Sequence, residues 1–199
     1  MGSAEAAVPL PDPRVARWTL VASILGSSMA FIDGSVVNVA LPSIQHDLGG
    51  GLATQQWVVD AYLLTLGSLI LVGGSLGDLF GPRRLFLIGI TTFGLTSVLC
   101  AVAPDGTTLI VARGLQGIAG AILTPAGLAV IASTVSGEAR GAAIGQWTSW
   151  TGVAFVIGPL VGGWLVTHAS WRWVFVINVP FAIATALLVA YAVPKRPPP

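Results

Sequence analysis

The sequence predicts an all-α membrane protein of six transmembrane helices, and three observations carry that expectation. Hydrophobic residues make up 54% of the 199-residue chain, charged residues only 9%, and mean hydropathy is +0.86. Soluble domains carry about 25% charged residues, so lipid is the solvent for most of this chain. Apolar runs recur six times, each near the roughly 20 residues a helix needs to cross a bilayer. Lysine and arginine, finally, fall on alternate connections between those runs. Strands of a membrane barrel would be half as long and alternating.

The first run, Trp18 to Leu41, follows a polar, proline-rich stretch assigned as a tail over 1–17. Arg14 and Arg17 before it could open a signal peptide, but the run is longer than the 7–15 apolar residues of such a leader. It reads as a first transmembrane helix ended by Pro42. The others run from Gln56 to Ser75, Leu85 to Ala103, Thr107 to Thr134, Ala142 to Val166 and Val174 to Val193. Breakers separate them: "PSIQHDLGGG", "GDLFGPRR", "APDG", "SGEARG" and "HASWRW". The membrane domain is therefore expected over 18–193, with a tail or the start of a linker over 194–199.

Orientation follows from the basic residues. With the N-terminus inside, the inner segments hold Arg14, Arg17, Arg83, Arg84, Arg140, Lys195 and Arg196, and the outer loops only Arg172. Positive charge collects on cytoplasmic loops, which places both termini in the cytoplasm. Six helices with both ends inside fit two inverted groups of three, although the groups show no clear sequence repeat. The single cysteine, Cys100, excludes an intramolecular disulfide and reads as a small apolar helix residue.

Three ionisable residues fall inside the spans: Asp33, Asp60 and Arg113. On insertion scales each costs about 2.5–3.5 kcal/mol at a helix centre, so such residues usually face a partner or a cavity. At 1.5 Å per residue, Asp33 lies about 13 Å, Arg113 about 9 Å and Asp60 about 6 Å below the outer helix ends. The three are expected within reach of one another; for Asp60 the alternative is a helix-end charge reaching the headgroups. An adjacent arginine favours a carboxylate's charged form and apolar burial disfavours it. Such a group changes protonation when a neighbour moves or a cation arrives. Gly117, Gly120, Thr124 and Gly127 follow Arg113 on its face, and Ala30 and Gly26 share a face with Asp33. These small residues either line a cavity or permit close helix packing.

Longer patterns are more specific. Gly145, Ala154, Gly158, Pro159, Gly162 and Gly163 lie along "GQWTSWTGVAFVIGPLVGG", with Ala154, Gly158 and Gly162 on one face. That arrangement resembles the antiporter motif of the major facilitator superfamily, particularly its fourteen-helix, EmrB/QacA-like drug:proton antiporters. "IDGSVVNVALP" resembles the group's helix-one signature, with Asp33 on its acidic position. "GSLGDLFGPRR" resembles the loop motif between helices two and three, matching at Gly74, Leu76, Asp78, Gly81 and Arg83. "LIVARGLQGIAGA" resembles the helix-four motif with Arg113 on its arginine, and "WRWVFVINVP" resembles the entry to helix six. Leu79 and Pro82 depart from the loop motif, where basic residues are usual, and Ala154 stands where glycine is commoner. The resemblance implies one half of a major facilitator fold. It also implies a latch at the cytoplasmic side, in which Asp78 pairs with Arg83 or Arg84.

The expected function is proton-coupled export of amphipathic or cationic drug-like molecules through the cell membrane. The proton/substrate coupling residues are Asp33, Asp60 and Arg113, and no cofactor or metal is implied. A half-length chain is expected to pair with a second copy or a separate C-terminal half; the alternative is a truncated, transport-inactive fragment. An enzyme is not expected: His46 and His168 fall in outer loops without metal-ligand spacing.

Overall fold

The structure is a computed structural model, described for residues 13–193. The segments 1–12 and 194–199 of the two predicted tails lie outside the described residues. Seven helices follow in order: α1 (Pro13–Leu48), α2 (Gly51–Phe80), α3 (Pro82–Ala101), α4 (Gly106–Thr134), α5 (Glu138–His168), α6 (Trp173–Val176) and α7 (Asn178–Ala192). The first five, and α6 with α7 over Trp173–Tyr191, are long and apolar enough to cross a membrane. The predicted spans are all present.

Their ends differ from expectation. Residues 13–17 belong to α1, not to a tail, and α1 continues through Pro42. Proline removes the hydrogen bond to the carbonyl four residues back, here Asn38, and both Asn38 and Pro42 lie on an exposed face. The helix therefore loses one bond where it is not packed, and does not stop. His46 and His168, expected in loops, occupy the last turns of α1 and α5.

Short connections explain the long helices. Gly49, Gly50 and Gly51 have φ of 71°, 85° and 66°, a run of left-handed positions that only glycine adopts readily. Gly81 alone joins α2 to α3, with φ 85° and its N–H on the Gly77 carbonyl at 3.0 Å, and Pro82 then opens α3. Proline suits a first helical position because its missing N–H has no intrahelical role there. Asp105 caps α4: its carboxylate accepts from the Thr108 N–H at 2.8 Å and the Thr108 hydroxyl at 3.0 Å. The backbone bond, then the hydroxyl, holds that carboxyl below its ordinary range.

Helices α1 and α4 form the centre. The main neighbours are α2 on α4, α5 on α1, α3 on α4 and α7 on α1, with α1 on α4 and α3 on α7. Exchanging α1, α2 and α3 with α4, α5 and α7 maps this set of pairs onto itself, as a 3+3 repeat requires. Close approach depends on small residues. Gly73 of α2 packs directly on the Ala121 carbonyl of α4, the carbonyl whose helical partner is lost at Pro125.

The apolar interior falls into two clusters. One holds Met29, Phe86, Phe93 and Leu123, the other Val36, Ile44, Leu109, Trp171 and Phe175. Between them, at the level of Asp33 on α1, Ser97 on α3, Arg113 on α4 and Asn178 on α7, lies a buried polar layer. Where α1 ends, the Trp171 indole N–H donates to Asp47 at 2.9 Å. Arg172 donates to the Ala101 and Ala103 carbonyls at 2.8 and 2.9 Å. The lone basic residue of the predicted outer loops thus caps α3.

Candidate functional site

Each side chain of the polar layer is set by helical spacing. Arg113 and Gln116 lie one turn apart on α4, Ser97 and Cys100 one turn apart on α3, and Val58 and Tyr62 one turn apart on α2. Asp33 projects from α1 among them, and Asn178 opens α7. The interruption before Asn178 has a local cause: Pro180 has no N–H for the Val176 carbonyl, where α6 ends.

Asp33 is 0% exposed and Arg113 1%, and the two form an ion pair through Oδ2 and Nη1. Oδ1 of Asp33 accepts from Gln116 Nε2 at 3.0 Å and from Asn178 Nδ2 at 2.9 Å. Both amides also donate to Ser97 Oγ, at 2.8 and 3.2 Å. Gln116 Oε1 accepts from Arg113 Nη1 at 2.7 Å and from the Cys100 thiol at 3.4 Å. Arg113 Nε donates to the Val58 carbonyl at 3.1 Å. The guanidinium carbon sits 4.1 Å from the Tyr62 ring centroid and 5.8 Å from that of Phe175. Tyr62 is fixed in turn by its hydroxyl, which donates to the Ala30 carbonyl at 3.3 Å.

Chemically this is a neutral pair of opposite charges in a buried layer, in which the carboxylate accepts three hydrogen bonds. A buried pair contributes little net stability, but losing either charge leaves the other uncompensated, at several kcal/mol. The layer is stable while the pair is intact and strained when its charge changes. That is the property a charge-driven switch needs.

The structure brings Asp33 and Arg113 together as expected, but not Asp60. Asp60 is exposed, and among the described residues it has no ion pair within 4.0 Å. It lies two residues from both Val58 and Tyr62, which puts it about 200° round the helix at 100° per residue. The face of α2 that meets Arg113 is therefore the one opposite Asp60.

The small residues that share a face with Arg113 and Asp33 pack against neighbouring helices. A side chain at Gly117 would run into Thr65 Oγ1 and the Tyr62 carbonyl. At Gly120 it would meet Leu66 at 3.1 Å, at Gly127 the Ser27 hydroxyl at 2.5 Å and the Phe86 ring at 3.1 Å, and at Gly26 the Phe86 ring at 2.7 Å. Thr124 is half-buried. Along α5, Ala154, Gly158 and Gly162 are buried, Gly158 against Ser35 and Gly162 against Val36 of α1. Pro159 does not break α5, a side chain at Gly163 would meet Val39 at 3.9 Å, and one at Gly145 would meet nothing within 4 Å.

The expected pairing of Asp78 with Arg83 or Arg84 is absent among the described residues. Asp78 and Arg84 are exposed, a side chain at Gly74 would meet nothing within 4 Å, and Arg83 turns instead to α7. Its Nη2 donates to the carbonyls of Val189 and Ala190 at 3.4 and 3.3 Å. A cation at the last turn of a helix meets the negative end of the helix dipole, and the Val189 carbonyl accepts from the Val193 N–H as well, at 3.3 Å. Gly81 supplies the turn that brings Arg83 within reach.

Gln116, Asn178, Ser97, Cys100 and Tyr62 are site residues that charge counting misses. Gln116 and Asn178 both stand in quoted stretches, "LIVARGLQGIAGA" and "WRWVFVINVP". The usable signal was a carboxamide inside an apolar span at the depth of the charged residues.

Six apolar spans closed around a buried ion pair define a multi-pass membrane protein. The chain belongs to the Major Facilitator Superfamily, whose family model matches residues 23–199. It is similar to the puromycin resistance protein pur8 of Streptomyces alboniger, at 45% identity over 89% of this chain and 35% of the relative. It is also similar to the multidrug transporter protein MdtP of Bacillus subtilis strain 168, at 39% identity over 93% of this chain and 34% of the relative. The fold matches the crystal structure of a bacterial homologue of the human lysosomal transporter Spinster, with a TM-score of 0.78 and 22% identity. That match covers 94% of this chain and 45% of the other. The chain spans about a third of the length of these curated relatives.

Proposed function

We propose that the chain is the N-terminal half-unit of a proton-coupled drug exporter, with both termini cytoplasmic in the cell membrane. The Asp33–Arg113 pair, buried yet held by amides and aromatic rings, is the observation that carries this reading. When a proton neutralises Asp33, Arg113 keeps its charge and loses its counter-ion, and the layer between α1, α3, α4 and α7 must rearrange. Release of the proton restores the pair. Asp33 has no exposed surface, so proton and substrate compete through the opening of this layer. Amphipathic or cationic molecules suit such an exporter, and the resistance and multidrug names of the relatives support that class. Asp60, exposed on α2, offers such a cation a carboxylate on the uncovered side of the bundle. Helices α2 and α5 bury the smallest share of their apolar windows, leaving their faces free for a second copy or a C-terminal half. The glycine turn at Gly81 and the hold of Arg83 on α7 serve as the latch, with Asp78 free to engage that partner half.

Efflux of a fluorescent lipophilic cation from cells producing the chain tests this. Efflux faster than from cells lacking the chain is expected, abolished by a proton ionophore and by Asp33→Asn. Equal efflux from the wild type and the Asp33→Asn variant would remove Asp33 from the mechanism.

A further inference from the structure

The two oxygens of Asp33 are not equivalent. A carboxylate oxygen has about two acceptor positions. Both positions of Oδ1 are taken, by Gln116 Nε2 at 3.0 Å and Asn178 Nδ2 at 2.9 Å. Oδ2 has Arg113 Nη1 as its partner. We propose that Asn178 is a positioning residue of the proton-coupling step: by filling the second acceptor position of Oδ1, it directs an incoming proton to Oδ2, where protonation displaces the Arg113 guanidinium.

The step balances simply. The proton adds to an Oδ2 lone pair and forms an O–H bond, the hydrogen bond from Nη1 to Oδ2 breaks, and no electron is transferred. The pair changes from neutral to a net single positive charge on Arg113. Other holders of Arg113 remain, namely Gln116 Oε1, the Val58 carbonyl and the faces of Tyr62 and Phe175. The guanidinium can therefore shift without being left unsolvated. Without Asn178 one position on Oδ1 opens. A proton taken there leaves Arg113 on Oδ2, and protonation no longer moves the pair. Asn178 also donates to Ser97 Oγ at 3.2 Å, which ties its amide to α3 and fixes its direction. Its place at the head of α7 makes the sixth span the element that sets which oxygen works.

The titratable groups facing Asp33 are Arg113 of α4, Tyr62 of α2 and Cys100 of α3. From α5 Ala154, Gly158 and Gly162 pack on α1 nearest this level, with Trp147 packing farther along it, and α6 and α7 contribute Phe175 and Asn178. None of these titrates.

This inference rests on the proton-coupled reading above, and two spectroscopic signals separate them. Tyr62 and Tyr191 are the two tyrosines, so a Tyr191→Phe background leaves Tyr62 as the sole tyrosine reporter of the guanidinium on its ring. Purified full-length chain in that background is acidified stepwise. The infrared carboxyl band of protonated Asp33, assigned by its loss in Asp33→Asn, is followed alongside the tyrosine ultraviolet difference spectrum. Carboxyl protonation and the Tyr62 shift are expected to run together in the parent. In Asn178→Leu the carboxyl band is expected to persist while the Tyr62 shift falls severalfold. Asn178→Ala serves as the second variant should leucine fail to fold, as judged by circular dichroism. A full-sized Tyr62 shift tracking the carboxyl band in the Asn178 variants would overturn this inference alone. Absence of an Asp33 carboxyl band in the parent at acidic pH would overturn the proton-coupled reading, and this inference with it.

Discussion

Arg113→Leu is expected to destabilise the folded bundle by about 3–5 kcal/mol, the usual cost of removing one partner of a buried pair. The loss has several sources on one side chain. Asp33 would keep its amide donors but lose its counter-ion in a layer with no exposure. Gln116 Oε1 would keep only the Cys100 thiol, and the Val58 carbonyl would lose the donor that Arg113 supplies. The Tyr62 ring would lose the cation on its face. Unfolding by denaturant in mixed micelles reads the change. The double variant Asp33→Leu with Arg113→Leu is expected to recover most of the loss, because replacing a buried pair by apolar residues is often neutral or stabilising. Additive losses in the two single variants, with no recovery in the double, would mean that the pair does not act as a unit.

Gly117→Ala is expected to cost about 1–3 kcal/mol, the usual penalty for overpacking a filled interface. A Cβ there has no room beside Thr65 Oγ1 and the Tyr62 carbonyl, in the α2–α4 interface. Thr65 also donates to the Gly114 carbonyl at 2.9 Å, so pushing α2 away breaks a bond between the helices. The displacement would draw Tyr62 off Arg113 as well. Gly67→Ala is the control, since nothing lies within 4 Å of its Cβ position. The same micelle unfolding assay is expected to show little change or a small gain for Gly67→Ala, because alanine suits a helix interior better than glycine.

These two positions also mark what could be read from the sequence. Asp33 and Arg113 announced themselves because a charge in an apolar run is expensive wherever it points, and the prediction that they meet needed only depth. Asp60 satisfied the same criterion and lies on the other face of α2. Depth along a helix follows from residue count, whereas which face packs inward depends on neighbours a single segment does not name. Pro42 was misread for a related reason. A proline removes one helical bond without obliging the helix to stop, as Pro42 in α1, Pro125 in α4 and Pro159 in α5 all show. Glycines at four-residue spacing fit packing or a lined opening equally well, and only the partner helix decided for packing. Gln116 and Asn178 passed as ordinary helix residues because an amide carries no charge. Arg83 was assigned to a nearby carboxylate, but the carbonyls it meets at the end of α7 lie more than a hundred residues away in sequence.

The central claim is that the buried Asp33–Arg113 pair exchanges a proton as the exporter engages its cargo. Proton release on cargo binding tests it most directly. Purified chain in lightly buffered micelles at mildly acidic pH is mixed with tetraphenylphosphonium, and a pH indicator records protons leaving the protein. The account predicts proton release that saturates with cation binding in the wild type and disappears in Asp33→Asn. Cation binding without proton release, or equal release from both proteins, would contradict it.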